Sequence, residues 1–200
     1  MGNPQAPLIT GTHSGPNAWE INLNGAYNNA CNEYLYSPFF DFSNITNVEL
    51  RFWQWYSCDN FYDGGRVEYS TDGGLNWTVL GVAFDPLGTS WYNQSYLQSS
   101  SLPGWSGNGG GYFQSRYNLA MFNNYPTPVQ FRYVFTSDSF TFGAVDGWAI
   151  DDFELYVPID VSTNTITFGN TSPLPMPGTN NVKINIRNTG TVAITAANLT

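Results

Sequence analysis

Between positions 19 and 157 the chain consists of short apolar stretches separated by turn residues, and none has the 3.6-residue periodicity of an amphipathic helix. Residues 129–135 alternate between apolar and polar side chains, which is typical of a strand with one core face and one wet face. Residues 48–56 alternate at first and then become aromatic on both faces, which predicts a central strand covered on both sides. The sequence therefore predicts an all-β fold.

A hairpin is predicted where residues 66–70 and 77–80 flank the segment 71–76. Glycine supplies positive φ in such a turn, and an aspartate can cap it through its own side chain. The run Ser70-x-Asp72-x-Gly74-x-Asn76-Trp77 resembles an Asp-box, a hairpin motif of many secreted β proteins. We interpret Asp72 as a turn residue and not as a catalyst.

The composition favours an exported protein and excludes several partners. Charged residues make up 10% of the chain, against about 25% in an ordinary soluble domain, and aromatic residues make up 17%. The net charge is −9, from 15 acidic and 6 basic residues, and the basic residues form no cluster. Nucleic acid and anionic membranes are therefore poor partners, because cationic side chains hold both.

The ends of the sequence suggest a piece of a longer protein. No apolar run approaches the roughly 20 residues of a membrane span, so direct membrane insertion is not expected. The first residues have neither the basic nor the apolar region of a signal peptide. For a chain that otherwise has the composition of an exported protein, we expect that the N-terminus was cut from a longer precursor.

Cys31 and Cys58 are the only cysteines. If residues 27–36 and 47–57 pair as antiparallel strands about the connection 37–44, the two cysteines lie opposite each other. A cross-strand disulfide there would contribute roughly 3 kcal/mol in the chain-entropy model and would indicate an oxidising compartment. The alternative is two reduced, buried thiols.

A long segment rich in Gly, Ser and Asn, residues 84–116, carries several aromatic side chains, among them Trp91, Tyr92 and Trp105. Long loops in compact domains are often functional. These three aromatic residues are candidates for stacking on sugar rings. Alternatively, the segment folds back as a lid over the edge of the sheet.

Two adjacent carboxylates, Asp151 and Asp152, lie in the middle of the strand predicted over residues 147–155. Neighbouring strand residues point to opposite faces, so one aspartate should face the interior and the two cannot serve one cleft as an acid/base pair. We expect Asp151 to be the cation ligand or hydrogen-bond anchor and Asp152 to be its outward neighbour.

The composition changes after Val157. The stretch from Pro158 to Gly178 is rich in Thr, Asn, Ser and Pro, and then residues 182–187 alternate, turn at 188–190 and restart at Thr191. We interpret residues 158–200 as a linker and the start of an immunoglobulin-like sandwich, which 40 residues cannot complete.

The order of motifs in residues 1–157 resembles MAM-like jelly-roll modules of secreted multidomain proteins, notably of the Bacteroidetes, and of bacterial surface proteases and adhesins. The matching motifs are Asn17-Ala18-Trp19, residues 22–27, residues 34–43, residues 63–77, Trp91-Tyr92-Asn93, residues 104–107, residues 131–138 and residues 147–152. The tail around residues 184–191 is similar to adhesion-type immunoglobulin-like repeats. The resemblance implies an all-β fold with a two-sheet antiparallel jelly-roll sandwich, followed by a partial immunoglobulin-like β-sandwich. It also implies that the module lacks its first strand.

The resemblance further implies a structural calcium ion, and calcium prefers six to eight oxygen ligands. Its candidate ligands are Asp59, Asp63 and Asp151, with Asn29, Glu33 and Asp152 as secondary candidates. Asp59 stands where related modules often have a glutamate, which shortens one arm of the site. The alternative is that Asp63 caps its turn and that Asp151 accepts backbone hydrogen bonds.

Catalysis is not expected. His13, the only histidine, lies in a segment rich in Gly and Pro, without the strand context of a Ser-His-Asp site. A glycosidase needs two carboxylates across a cleft, but most of the five glutamates lie in alternating strands where an outward side chain is the default. A zinc site is not expected, because the chain has too few His and Cys residues to supply the ligands that zinc prefers.

We therefore expect a non-catalytic binding or adhesion module of a large exported bacterial surface protein. The resemblance suggests export through the type IX pathway, with cell-surface or secretion-machinery proteins, or glycans, as partners and an extracellular location. One alternative is an accessory carbohydrate- or protein-binding domain of a secreted hydrolase whose catalytic domain lies elsewhere. Another is a structural spacer or filament subunit.

Overall fold

The computed structural model describes residues 1–140, 142–143 and 145–157 together with two later strands, residues 161–168 and 182–188. The chain divides into two compact units, Met1–Tyr156 and Val157–Thr200. The one helical element among the described residues is a 3-10 turn at Ala120–Phe122. The described part has no helix with the length and hydropathy that a membrane span requires.

The first unit contains nine strands in two antiparallel sheets. In chain order they are β1 (Trp19–Glu20), β2 (Asn32–Phe40), β3 (Glu49–Ser57), β4 (Gly64–Ser70), β5 (Thr78–Val79), β6 (Gly88–Thr89), β7 (Phe113–Asn118), β8 (Val129–Thr136) and β9 (Gly147–Tyr156). One sheet has the order β1-β9-β3-β7-β6 and the other has the order β2-β8-β4-β5. The predicted all-β architecture with two antiparallel sheets is confirmed.

Aromatic side chains fill the space between the two sheets. Phe52 of β3 contacts Tyr133 of β8 edge to face, with ring centroids 5.0 Å apart, and Tyr133 also contacts Trp148 of β9 at 5.8 Å. All three side chains are at most 2% exposed. The prediction of a central strand is confirmed, because β3 lies between β7 and β9.

One polar side chain lies in this core with its hydrogen bonds satisfied. Gln54 is fully buried on β3, accepts a bond of 2.8 Å from Trp148 Nε1 and donates one of 2.5 Å to Ser115 Oγ. A buried amide is tolerated when such bonds replace those to water. Gln54 therefore joins β3 to β9 and β7 within the core.

The predicted hairpin is confirmed, since β4 and β5 pair through Glu68 with Val79 and Tyr69 with Thr78. Asp72 accepts hydrogen bonds from the backbone N–H groups of Leu75 and Asn76 and from Asn76 Nδ2. These bonds favour the ionised carboxylate, with the Asn76 backbone contributing most, and lower the pKa of Asp72 to about 2.

The second unit contains two described strands, β10 (Val161–Phe168) and β11 (Val182–Asn188), which pair antiparallel. The predicted strand at residues 182–187 agrees with β11, whereas β10 falls within the stretch that we interpreted as a linker. Of the turn predicted at residues 188–190, Asn188 belongs to β11. Residues 189–190 and the predicted restart at Thr191 lie outside the described residues.

Candidate functional site

The carboxylates Asp59 and Asp63 both lie in the loop between β3 and β4. Asp63 is fully buried and accepts hydrogen bonds from the Tyr27 hydroxyl at 2.6 Å and from the Asp138 N–H at 2.7 Å. Burial raises the pKa of Asp63, although both bonds act in the opposite direction. Asp59 Oδ2 accepts the N–H of Phe142 at 3.2 Å. Both side chains therefore hold loops together at this end of the sandwich.

Asp151, the third predicted calcium ligand, lies elsewhere on the sheet. It pairs with Trp53 of β3, and β3 ends at Ser57, four residues after Trp53. Four strand residues span about 13 Å, so Asp151 is far from the loop that carries Asp63. Its Oδ2 accepts the N–H groups of His13 and Ser14. Asp151 thus accepts backbone hydrogen bonds, which is the alternative to calcium binding that we gave for this residue.

The structure does not bring the predicted calcium ligands together. Among the described residues, no group of three or more His, Cys, Asp or Glu side chains could hold a metal ion. Of the secondary candidates, Asn29 and Glu33 are exposed around the start of β2 and Asp152 lies beside Asp151. Asp59 and Asp63 share one loop, whereas Asp151 and Asp152 lie on β9, so one ion could not bind all of the predicted ligands.

The two cysteines are free thiols. The strand pairing from which we predicted the disulfide is wrong, because β2 pairs with β8 whereas β3 pairs with β7 and β9. Cys31 Sγ accepts a bond of 3.3 Å from Ser137 Oγ, and Cys58 Sγ donates one of 3.4 Å to the Asp63 carbonyl oxygen. Burial raises the pKa of the Cys58 thiol to about 12, so this cysteine is a poor nucleophile.

The predicted divergence of Asp151 and Asp152 is also wrong, because β9 contains a bulge. Trp53 pairs with Asp151 and Arg51 pairs with Glu154, so β9 has one extra residue in this interval. Asp152 has a φ of 47°, in the left-handed region that non-glycine residues rarely adopt. The bulge places Asp152 on the outer surface with Asp151, where simple alternation would have placed it in the core.

Both aspartates bind the same two residues of the N-terminal segment, which we define as residues 1–17. Asp152 Oδ2 lies 2.7 Å from His13 Nδ1, and Asp152 Oδ1 accepts the Ser14 hydroxyl at 2.6 Å. The histidine and the serine thus bond to the two oxygens of one carboxylate. In a Ser-His-Asp site the serine would instead bond to the imidazole, so this geometry is an anchor.

The predicted ligand-stacking residues are buried. Trp91, Tyr92 and Trp105 are 7%, 0% and 1% exposed, and their rings contact one another at 4.6 to 5.1 Å. Tyr92 also bonds through its hydroxyl to both the N–H and the carbonyl oxygen of Val67 on β4. The prediction is corrected accordingly: the segment folds back over the sheet as a lid, and these rings complete the core.

Exposed aromatic side chains lie instead on the outer surface of the four-stranded sheet. Tyr34, Tyr36 and Phe39 of β2 are 37%, 51% and 51% exposed. Arg132 of β8 lies with its guanidinium carbon 4.7 Å from the ring centroid of Tyr34 and 4.2 Å from that of Trp77. These five residues form what we call the open face.

Strand register explains why these residues share one surface. Tyr36 pairs with Arg132, and Arg132 pairs with Glu68 on β4, so all three point the same way. A register shift between Tyr36 and Phe39 adds one residue to β2, and Phe39 remains on the same surface as Tyr36. This surface is thus aromatic along its edge strand.

A buried ion network fixes the centre of the open face. Glu68, 4% exposed, accepts two bonds from Arg132, of 2.8 Å and 2.5 Å, on one oxygen and a bond of 2.6 Å from Arg66 Nε on the other. Arg66 Nη1 is buried and has no hydrogen-bond partner among the described residues. Both oxygens of the Glu68 carboxylate therefore bond to arginines of the same sheet. These bonds hold Arg132 between the rings of Tyr34 and Trp77.

Sequence reasoning did not identify the open face as a site. The alternation Tyr34-Leu35-Tyr36 was a usable signal, since two aromatic residues flank a residue of the opposite face. Nothing in the sequence indicates that Trp77 and Arg132 meet, because Trp77 lies in the turn before β5 and Arg132 lies on β8, more than 50 residues later in the chain.

A cavity of about 190 Å³ lies beside β1 and β9, with Trp19, Leu35 and Phe153 in its wall. The carboxylates at its margin, Asp151 and Asp152, are those that bond to residues 13 and 14. Because most of the remaining lining residues are apolar, the cavity offers mainly apolar surface.

The sequence matches neither a model of a known protein family nor, at a significant level, a curated protein.

Proposed function

We propose that residues 1–156 form a non-catalytic binding module that holds a glycan on the open face. The observation that carries this proposal is an aromatic group around a fixed arginine: the exposed Tyr34 and Tyr36 and the half-buried Trp77 about Arg132. In protein–protein interfaces, Trp, Tyr and Arg are the residues most enriched where binding energy concentrates. Contiguous apolar surface on a soluble domain commonly marks an interaction site.

Preorganisation supports a recognition role for this surface. Arg132 is held by Glu68 and by two rings, so little of its conformational freedom remains to be lost on binding. Tyr36 and Trp77 meet at 5.6 Å with an angle of 64° between their planes, so the two rings present differently oriented surfaces.

The chemistry of the open face suits a carbohydrate. The negative face of an aromatic ring attracts the weakly positive C–H groups of a sugar ring, as it attracts cations. Guanidinium N–H groups donate to hydroxyl or carboxylate oxygens. With a net charge of −9 and an arginine already paired to Glu68, the protein is a poor receptor for a strongly anionic polymer.

The resemblance to MAM-like modules extends this proposal to the parent protein. We propose an exported, extracellular surface protein of a Bacteroidetes-type bacterium that uses type IX secretion, with an immunoglobulin-like repeat beginning after residue 157. Cell-surface or secretion-machinery proteins remain candidate partners of the whole protein. An accessory domain of a secreted hydrolase would use the same open face to hold the enzyme on its substrate.

A glycan array followed by calorimetric titration of the best glycan tests this proposal. We expect Tyr36→Ala and Trp77→Ala each to weaken binding at least tenfold, because each removes a ring from the open face. Phe84→Ala is the matched control, since Phe84 is 81% exposed and lies outside both sheets. No binding by the wild type, or equal binding by all three variants, would contradict the proposal.

A further inference from the structure

The outer surface of the five-stranded sheet, which we call the covered face, buries a glutamate. Glu20 of β1 pairs with Ala149, and Ala149 pairs with Trp55, so these residues share one surface of the sheet. Glu20 is 6% exposed, and neither of its carboxylate oxygens has a hydrogen-bond partner among the described residues. A buried carboxyl group without partners is costly, so this one requires an explanation.

A second buried carboxylate, that of Asp146, lies three residues before Ala149, the residue with which Glu20 pairs. Asp146, 2% exposed, accepts the N–H groups of Leu8 and Ile9 on its Oδ2 atom, the latter at 2.6 Å. Burial and then the negative charge of Asp146 raise the pKa of Glu20 to about 8. Asp146 thus lies against the N-terminal segment, and Glu20 lies on the neighbouring strand.

No arginine of the first unit forms an ion pair with either carboxylate. The arginines of the first unit are engaged elsewhere: Arg51 with Glu49 and Glu154, Arg66 and Arg132 with Glu68, and Arg116 with Gln114. Within the first unit, this leaves a proton or a bound cation to compensate the two charges.

We propose that Glu20 and Asp146 bind a divalent cation, Ca²⁺, beneath the N-terminal segment. Glu20 offers two oxygens without partners, and Asp146 can contribute its Oδ1 atom because Oδ2 is occupied by Leu8 and Ile9. Carboxylates, carbonyl oxygens and water are the ligands that calcium prefers. A proton on Glu20 would neutralise its charge but would leave a buried hydroxyl donor and a carbonyl acceptor unpaired, whereas a cation engages both oxygens.

This site differs from the calcium site that the sequence resemblance implies. Neither Glu20 nor Asp146 is among the six residues that were predicted as calcium ligands. It is also independent of the open face, because it lies on the opposite sheet. Since Asp146 also holds Leu8 and Ile9, an ion bound here would stabilise the N-terminal segment where it covers the sheet.

Thermal unfolding of the wild type in EDTA, in Ca²⁺ and in Mg²⁺ tests the proposal. We expect the unfolding midpoint to rise progressively with Ca²⁺ concentration above the dissociation constant, as mass action requires, and Mg²⁺ to have a much smaller effect. Glu20→Gln should abolish the Ca²⁺-dependent rise. Glu33→Gln, the same change at an exposed glutamate of β2, should keep it.

Two further measurements make the result decisive. Glu20→Gln loses no hydrogen bond, so its circular dichroism and its midpoint in EDTA should match or exceed those of the wild type. Tb³⁺ luminescence, excited through nearby aromatic rings, should appear in the wild type and be lost in Glu20→Gln. The absence of a Ca²⁺-dependent rise in the wild type, or an equal rise in Glu20→Gln, would overturn the proposal.

Discussion

Glu68 on one outer face and Asp146 and Asp151 at the other find their hydrogen-bond partners in opposite ways. On the open face, Glu68 is bonded by Arg66 and Arg132 of its own sheet, so no other part of the chain is needed. On the covered face, Asp151 lies on β9 and Asp146 is the residue before β9 begins. Both accept backbone N–H groups of the N-terminal segment. Because Glu68 is bonded within its sheet, its face stays free for a ligand, whereas Asp146 and Asp151 bond to a segment that covers theirs.

The largest effect that tests this contrast is expected at Glu68. Glu68→Ala would leave Arg66 and Arg132, whose side chains are 8% and 16% exposed, without their carboxylate. Removing one partner of a buried ion pair typically costs about 3–5 kcal/mol, so we expect a loss of that order in the free energy of unfolding. Chemical denaturation measures it.

Glu154→Ala is the control for this prediction. Glu154 is on β9, its side chain is 50% exposed, and it lies 3.7 Å from Arg51. An exposed pair of this kind contributes about 0–1 kcal/mol. Similar losses for Glu68→Ala and Glu154→Ala would show that the open face is not held by its internal ion network.

A smaller effect is expected at the bulge of the covered face. Asp152 has a φ of 47°, which glycine adopts without strain and which costs other residues roughly 1 kcal/mol. Asp152→Gly and Asp152→Ala both remove the bonds to His13 and Ser14. We therefore expect the alanine variant to be less stable than the glycine variant by about 1 kcal/mol.

The same denaturation experiment tests the bulge, because the two variants differ only in backbone freedom. Equal stabilities would mean that residue 152 does not hold a left-handed conformation in solution. In that case Asp152 would follow the simple alternation of β9 and would not reach the N-terminal segment.

Local patterns in the sequence predicted the parts of the fold that depend on neighbouring residues. The hairpin about Asp72 and the central strand followed from alternation and from turn residues, which act over a few positions. The incorrect pairing of Cys31 with Cys58 had a different cause: consecutive strands β2 and β3 enter different sheets, and only contacts distant in the chain decide that.

The candidate site was less predictable for the same reason. Whether an aromatic side chain is exposed depends on what covers it: Trp105 is covered by rings of the lid and core, whereas Tyr36 lies on an edge strand. The bulge that turns Asp152 outward is a single extra residue in β9, and no composition signal accompanies it. These features depend on tertiary packing, which alternation alone does not contain.

The smallest expected effect is the response of the covered face to acid. Bonds from Ser14 and then from His13 lower the pKa of Asp152 below its ordinary value of 3.8. A carboxyl group with a lowered folded-state pKa stabilises the folded protein above its unfolded pKa, and this contribution is lost as the pH falls through the folded-state pKa. Acidification below about pH 4 should therefore loosen residues 13 and 14.

Hydrogen exchange of the amides of His13 and Ser14 measures this loosening, after correction for the intrinsic effect of pH on exchange. Their protection should fall as the pH drops below about 4 in the wild type, and it should change less in Asp152→Asn, which lacks the titrating group. On the other sheet, Asp72 has its pKa lowered to about 2, so the hairpin beside the open face should keep its protection to a lower pH. If both regions lost protection at the same pH, the two faces would not be stabilised separately, because a single global transition would then account for both.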